Sequence, residues 1–388
     1  KTQAQAGDVL PVVITIYKTA MVSRIKVMGQ REIACLFMRG GTSRGPFFNS
    51  NDLPTDLDIR NKVLLAAMGS PDTRQIDGLG GADMLTSKIA IISKSERKGI
   101  DVDYLFAQAW LDKPIIDTAP SCGNMLAAVG PYAIERRIVK TTGNQTHVNI
   151  YNVNTGSQIE AVIKTPNNQI TYEGTQKIDG VPGTAAPILL NFSNIVGSKC
   201  GSLFPTGDTT NEIQGIRVSC IDVAMPMVIM RAADLGVTGY ESNSIVSNTT
   251  LMQRIEKIRL EAGHKMGLGD VAEMVVPKVG IIAKARHGGS IYSCYLTPHH
   301  VHAAHAVTGA ICVASCATIK GTIAESISKK TNGSSETVHI EHPSGVIDIE
   351  LKTSNSGPNT QVLSAGVIRT ARKIMEGQVF VPERLWPK

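Results

Sequence analysis

The sequence predicts an α+β fold, rich in strands and built as two similar halves. Three observations carry that expectation. Glycine is abundant at 36 residues, while aromatics make up only 4% of the chain. This balance suits a strand-rich fold of many turns and small-residue packing, not a stacking platform for nucleic acid. Short β-branched runs recur between turn signals, several of them alternating. The second half also echoes the first. In each, strands lead through a polar loop to a small-residue helix, entered at Cys122-Gly123 or at Thr308-Gly309.

The 388 residues suit two domains, and 42% apolar against 19% charged content allows a large core. Net charge is +6, but Lys and Arg are scattered. That implies mild steering of small anions and no nucleic-acid surface. The cysteines, at 35, 122, 200, 220, 294, 312 and 316, are odd in number and contain no Cys-x-x-Cys pair. A disulfide framework or zinc site is disfavoured, and a reducing, cytoplasmic compartment is expected. No apolar run reaches the length of a membrane span.

Taken in order, residues 1–30 read as an extension of unknown role. Ile33 to Met38 is a strand, followed by Arg39-Gly40-Gly41-Thr42-Ser43-Arg44-Gly45. Two arginines flanking glycines and hydroxyls suggest an anion-binding loop, with a plain glycine hairpin as the alternative. Asp58 to Met68 is an amphipathic helix, and Lys88 opens the strand Ile89 to Ser93. A lysine at the mouth of an apolar strand either snorkels to solvent or serves as a base. Val102 to Leu111 is a strand. Next comes Asp117-Thr118-Ala119-Pro120-Ser121-Cys122-Gly123-Asn124, which turns into the apolar helix Met125 to Val129. A helix N-terminus favours negative charge, so Cys122 there suits an anion site or a proton carrier, or else it is a buried structural cysteine.

Val148 to Val153 and Ile159 to Thr165 form a hairpin about Asn154-Thr155-Gly156, and Ile170 to Tyr172 and Pro187 to Phe192 continue the strands. In the second half, Val218 to Val223, Met227 to Met230, Val279 to Ala283 and Ile291 to Leu296 read as strands, and Thr249 to Lys265 as an amphipathic helix. His299, His300, His302 and His305 precede the apolar helix Ile311 to Ile319. Their spacing lacks the zincin pattern and no acid lies nearby, so no metal is expected. Val338 to Glu341, Val346 to Leu351, Val362 to Thr370 and a short Val379 to Val381 complete the strands.

Several of these pieces together resemble the PrpF-type isomerase family. They are Met38 to Gly45, Gly69-Ser70-Pro71-Asp72, Gln75 to Gly81, Thr86-Ser87-Lys88, Asp101 to Gln108, Cys122-Gly123-Asn124, Pro205-Thr206-Gly207 and Glu341 to Gly345. Asp179 to Pro187, Gly236 to Glu241 and Met266 to Val271 look most like 4-oxalomesaconate tautomerases, with aconitate and methylitaconate isomerases as sister activities. The resemblance implies the diaminopimelate-epimerase fold: two β-barrel-like halves around central helices, residues 31–200 and 201–376, with a cleft between them. The last strand, within 377–388, is expected to return to the first half. It also implies no cofactor, a small anionic substrate such as a tricarboxylate or keto acid, no membrane partner, and a homodimer as an open option.

The family's catalytic lysine and cysteine fall on Lys88 and Cys122. The expected substrate-binding set is Arg39, Gly41, Thr42, Ser43, Arg44, Ser87, Gly123, Asn124, Met125, Lys278, Thr308 and Gly309. Racemases of this fold use two thiols, yet the second half offers Thr308 where the second is expected. A hydroxyl is too weak an acid for that work, so a 1,3-proton shift is favoured over racemisation. A tricarboxylate-binding accessory protein and a metal hydrolase are the other classes kept open.

Overall fold

A computed structural model describes the chain over residues 29–297, 300–329, 335–354 and 361–387. His299 and all but the last two residues of the 1–30 extension lie outside the described residues. One mixed sheet runs through the molecule.

The pairing order repeats. In the first half Gln30–Gly40 pairs antiparallel with Ser43–Asn49, which runs parallel to Lys88–Lys94. That strand pairs antiparallel with Val102–Ala109, itself parallel to Gln145–Asn152. Gln158–Lys164 and Ile188–Ser193 then follow antiparallel. The second half runs through the same sequence of antiparallel and parallel neighbours. Its strands are Ile216–Asp222, Pro226–Arg231, Lys278–Ala283, Ile291–Leu296, Ser335–His342, Gly345–Thr353 and Val362–Arg369.

Parallel neighbours need a crossover, and each half makes two. The first carries an outer helix, Leu57–Met68 or Thr249–Lys265. The second carries an inner one, Gly123–Leu126 continuing into Val129–Glu135, or Val307–Thr318. The outer helices are capped as their sequences require. Asp56 accepts from the Ile59 amide at 2.9 Å, and Asn248 from the Leu251 amide at 3.0 Å. Each outer helix covers its own apolar cluster, whereas the two inner helices share a single larger core.

Two pairings close the molecule. Ile188–Ser193 pairs antiparallel with Val362–Arg369, linking the last strands of the halves. Ala371–Pro382 then runs antiparallel along the whole of Gln30–Gly40. That final strand is far longer than the Val379 to Val381 core read from sequence. Its polar positions, among them Lys373, Glu376 and Gln378, mask the β signal because one side of it faces solvent. Ile170 to Tyr172 joins no ladder, although Tyr172 takes the Ala186 amide at 2.9 Å. The inner helix of the first half is broken at Ala127–Ala128. The ring of Pro131 would collide with the carbonyl four residues back, and the amides of Ala127 and Ala128 bond to Asn124 and Met125 in tighter i→i−3 turns.

Candidate active site

The two inner helices meet at their N-termini. A Cβ on Gly123 would lie 2.6 Å from Val307 Cβ, so glycine is what lets them approach. Beside this contact is a small, partly open cavity of about 30 Å³, whose lining includes Lys88, Cys122, Lys278 and His302.

Lys88 opens the strand Lys88–Lys94 and pairs with Gln108, whose side-chain amide donates to the Ser87 carbonyl at 2.9 Å. Gly45 presses on the Lys88 carbonyl so closely that a Cβ there would be 1.7 Å away. Held between these, the Lys88 side chain is only 7% exposed. Its Nζ donates to Cys122 Sγ at 3.4 Å and lies 5.8 Å from the centre of the Phe106 ring. Cys122, 5% exposed, caps the short helix Gly123–Leu126 and accepts from the Met125 amide at 3.5 Å. The Tyr104 hydroxyl donates to the Cys122 carbonyl at 3.1 Å, fixing the turn.

Lys278 enters the cavity from the second half, 6% exposed. Burial pushes its amine down to about 7; Asp117 opposes that shift, while Lys88 and Arg259 add to it. Burial in turn raises the Asp117 carboxyl, although it accepts from the Ala119 amide at 2.8 Å. Buried Arg259 braces the approach to Lys278. It chelates Glu256 through two bonds of 2.7 Å and donates to the Val271, Met274 and Val276 carbonyls.

The expected binding set divides. Gly41 abuts Asn124, since a Cβ at Gly41 would be 2.2 Å from Asn124 Oδ1. Thr42 Oγ1, Ser43 Oγ and Asn124 Oδ1 are all buried without a hydrogen-bond partner among the described residues. Such atoms are what a polar ligand would satisfy. The arginines do otherwise. The segment Arg39 to Gly45 is a tight hairpin, with Gly40 opposite Ser43 and Gly41 at φ +51°. Arg39 Nη1 turns back onto the carbonyls of Gly41 and Thr370 at 2.8 and 3.0 Å. Arg44 is exposed, 5.8 Å from the Phe37 ring centre. Neither lines the cavity, and the segment they frame takes the form of a hairpin.

Other residues of that set support the site from behind. The Ser87 hydroxyl lies 2.6 Å from Gln75 Oε1 and 2.8 Å from the Asp83 carbonyl. Met125 is fully buried, and Gly309 is covered by the Tyr295 ring. Thr308 is not the counterpart of Cys122. The second inner helix is capped at Ala306, and Thr308, inside its first turn, donates to Met225 Sδ at 3.1 Å. Ala306, which has no proton to move, lines the cavity instead. The histidines scatter. His300 is exposed, while His305 is pinned between Ser293 Oγ and the Ala306 carbonyl. No group of three metal-ligating side chains forms among the described residues.

The PrpF protein family matches residues 30–382. This chain belongs to the PrpF family. It is 49% identical over 348 residues to a (4E)-oxalomesaconate Delta-isomerase of Novosphingobium sp. (strain KA1), covering 89% of this chain and 97% of that one. It is 44% identical over 360 residues to a 4-oxalomesaconate tautomerase of Pseudomonas putida, covering 92% and 99%. Among solved structures, methylitaconate-delta-isomerase superposes with a TM-score of 0.74 at 38% identity, covering 92% and 97%. A hydroxyproline epimerase from Agrobacterium vitis, at 11% identity and TM-score 0.54 over 92% and 94%, shares the fold alone. The PrpF-family chain thus has the α+β epimerase-like fold. No helix among its described residues is long and apolar enough to cross a membrane.

Proposed function

We propose that this PrpF-family chain is an isomerase that moves one proton across three atoms of an unsaturated, multiply charged carboxylic acid, with 4-oxalomesaconate as its substrate. The contact between Lys88 Nζ and Cys122 Sγ, 3.4 Å long and buried, carries this reading. The similarity to relatives named for oxalomesaconate directs the choice of acid.

In this reading Lys88 takes the proton from the carbon beside the double bond. The charge spreads into a carboxylate or keto oxygen as a dienolate. Cys122 delivers its thiol proton to the far carbon, and the double bond has moved. Lys88 then holds an extra proton and Cys122 lacks one. Transfer from ammonium to thiolate across their contact restores both, with no net change in the protein. The ammonium of Lys278 and the unpartnered Thr42 and Ser43 hydroxyls donate to the acid's carboxylates, and Asn124 Oδ1 accepts from its enol hydroxyl. A buried site concentrates these interactions because water no longer screens them. All seven cysteines are free thiols, which accords with a cytoplasmic setting.

Ultraviolet assay of 4-oxalomesaconate, 2-methylaconitate, 3-methylitaconate and aconitate in D₂O tests the proposal. Loss of the starting chromophore with deuterium gained at carbon is expected for the first. Turnover of another acid alone would reassign the substrate. Binding without exchange on any of them would make the chain a carrier and not an enzyme.

A further inference from the structure

We propose that His302 is a catalytic hydrogen-bond donor, its Nε2–H binding the substrate oxygen on which charge gathers when the proton leaves. This rests on the isomerase reading above, and it adds a residue to that chemistry.

The tautomer follows from one contact. The Ala304 amide donates to His302 Nδ1 at 3.1 Å. A backbone N–H cannot accept, so Nδ1 must present its lone pair, and the proton of a neutral ring sits on Nε2. That Nε2 is buried and has no partner among the described residues. The ring is 2% exposed and lines the same cavity as Lys88, Cys122 and Lys278. Its edge stands on Tyr295, centroids 5.8 Å apart at 81°, which fixes its tilt.

Burial among Lys88, His305 and His342 holds the ring neutral, its proton affinity well below the usual histidine range. Neutrality suits the task. An imidazolium would protonate the dienolate at oxygen and stall it there. A neutral N–H stabilises the charge and leaves the carbon for Cys122. A buried donor without an acceptor costs stability in the free protein. The cost is recovered when an oxygen arrives, and recovered most when that oxygen becomes anionic, so the bond favours the transition state over the bound substrate.

His302→Ala should lower kcat by about 10²–10³-fold, the loss typical of one oxyanion donor, and leave KM within about threefold. His302→Gln, whose Nε2–H₂ reaches a similar place, should recover at least about tenfold of that loss. The pH–rate limbs should stay in place in both variants, since the ring does not titrate in the working range. In uniformly ¹⁵N-histidine-labelled protein, the His302 signals should show a protonated Nε2 and a bare Nδ1 from pH 6 to 8. Equal kcat in wild type and His302→Ala would overturn the inference while leaving the isomerase reading intact. A vanished pH limb, or a ¹⁵N spectrum of the other tautomer or of an imidazolium, would do the same. Wild-type protein that exchanges no C–H bond in any of the four acids would sink the parent proposal instead, and the nitrogen spectrum would still decide the tautomer.

Discussion

Lys88 and Lys278 occupy the same place in the two halves of the molecule. Each is the first residue of the strand that follows an outer helix, and each lines the cavity that holds Cys122. Repetition of the fold has therefore produced a facing pair of amines, one bonded to a thiol and one beside the Asp117 carboxyl. Two like charges in one small enclosure repel, so at least one amine is inclined to remain neutral until an anion arrives.

That neutral amine gives a pH-dependent prediction. Lys278 titrates near 7 in the free protein, below the ordinary 10.5. A bound polycarboxylate favours the ammonium and moves it upward. At pH 8 the free group is mostly deprotonated and the bound one protonated, so binding should take up a proton. Calorimetry of a non-reacting tricarboxylate in buffers of different ionisation enthalpy should show uptake approaching one proton at pH 8, falling toward zero below pH 6. Lys278→Met should abolish it. Uptake unchanged in that variant would place the titrating group elsewhere.

The paired acid and base predict a kinetic pattern. Lys88→Ala and Cys122→Ser should each cost about 10²–10⁴-fold in kcat. Because the two act as one unit, the double variant should cost little more than the worse single one. Exchange separates their roles. Cys122→Ser should still wash deuterium into the carbon that loses its proton, whereas Lys88→Ala should not. Near wild-type turnover in both single variants would remove the pair from the mechanism.

Contact between the inner helices predicts a steric effect. Gly123→Ala places a methyl 2.6 Å from Val307 Cβ. Urea unfolding should show a loss of about 1–3 kcal/mol. Adding Val307→Ala should return part of it. If the double variant were no more stable than Gly123→Ala alone, this clash would not be the cause.

Arg259 predicts a link from stability to the site. It is fully buried, and its guanidinium ties the Glu256 carboxylate to three carbonyls just ahead of Lys278. Arg259→Leu removes the guanidinium from Glu256 and from the Val271, Met274 and Val276 carbonyls, and should cost about 1–3 kcal/mol for each buried acceptor left unsatisfied. Arg259→Lys cannot reproduce the fork and should recover little. In both, KM should rise more than kcat falls, because Lys278 loses its brace while the Lys88–Cys122 contact stays.

Regular elements were the legible part of the sequence. The helix Thr249–Lys265 is bounded as its apolar periodicity indicates, and Ile291–Leu296 as its β-branched and aromatic run does. Lys88 and Cys122 were legible as motif residues, and their proximity is a matter of tertiary structure. What escaped was set by contacts distant in sequence. Nothing local says that Arg39 is consumed by Thr370, or that Ala306 and not Thr308 caps the second inner helix. His302 was weighed only for metal binding. The sign of its role is a ring nitrogen accepting the amide two residues on, a bond that no composition or spacing rule marks for histidine. Pro131 was visible all along, and its ring suffices to explain why the first inner helix breaks.

The strand that closes the sheet has a consequence in time. Gly40 lies opposite Ala371, and Gln30 opposite Pro382. On the ribosome the early partner waits for the late one for on the order of tens of seconds at ordinary synthesis rates. Through that interval one flank of Gln30–Gly40 carries unmated amides and carbonyls, open to any passing strand of another nascent chain. A stop codon just ahead of Ala371 would make the exposure permanent while sparing every side chain that lines the reaction chamber. Such a truncated product should be lost to aggregation before its chemistry could be measured.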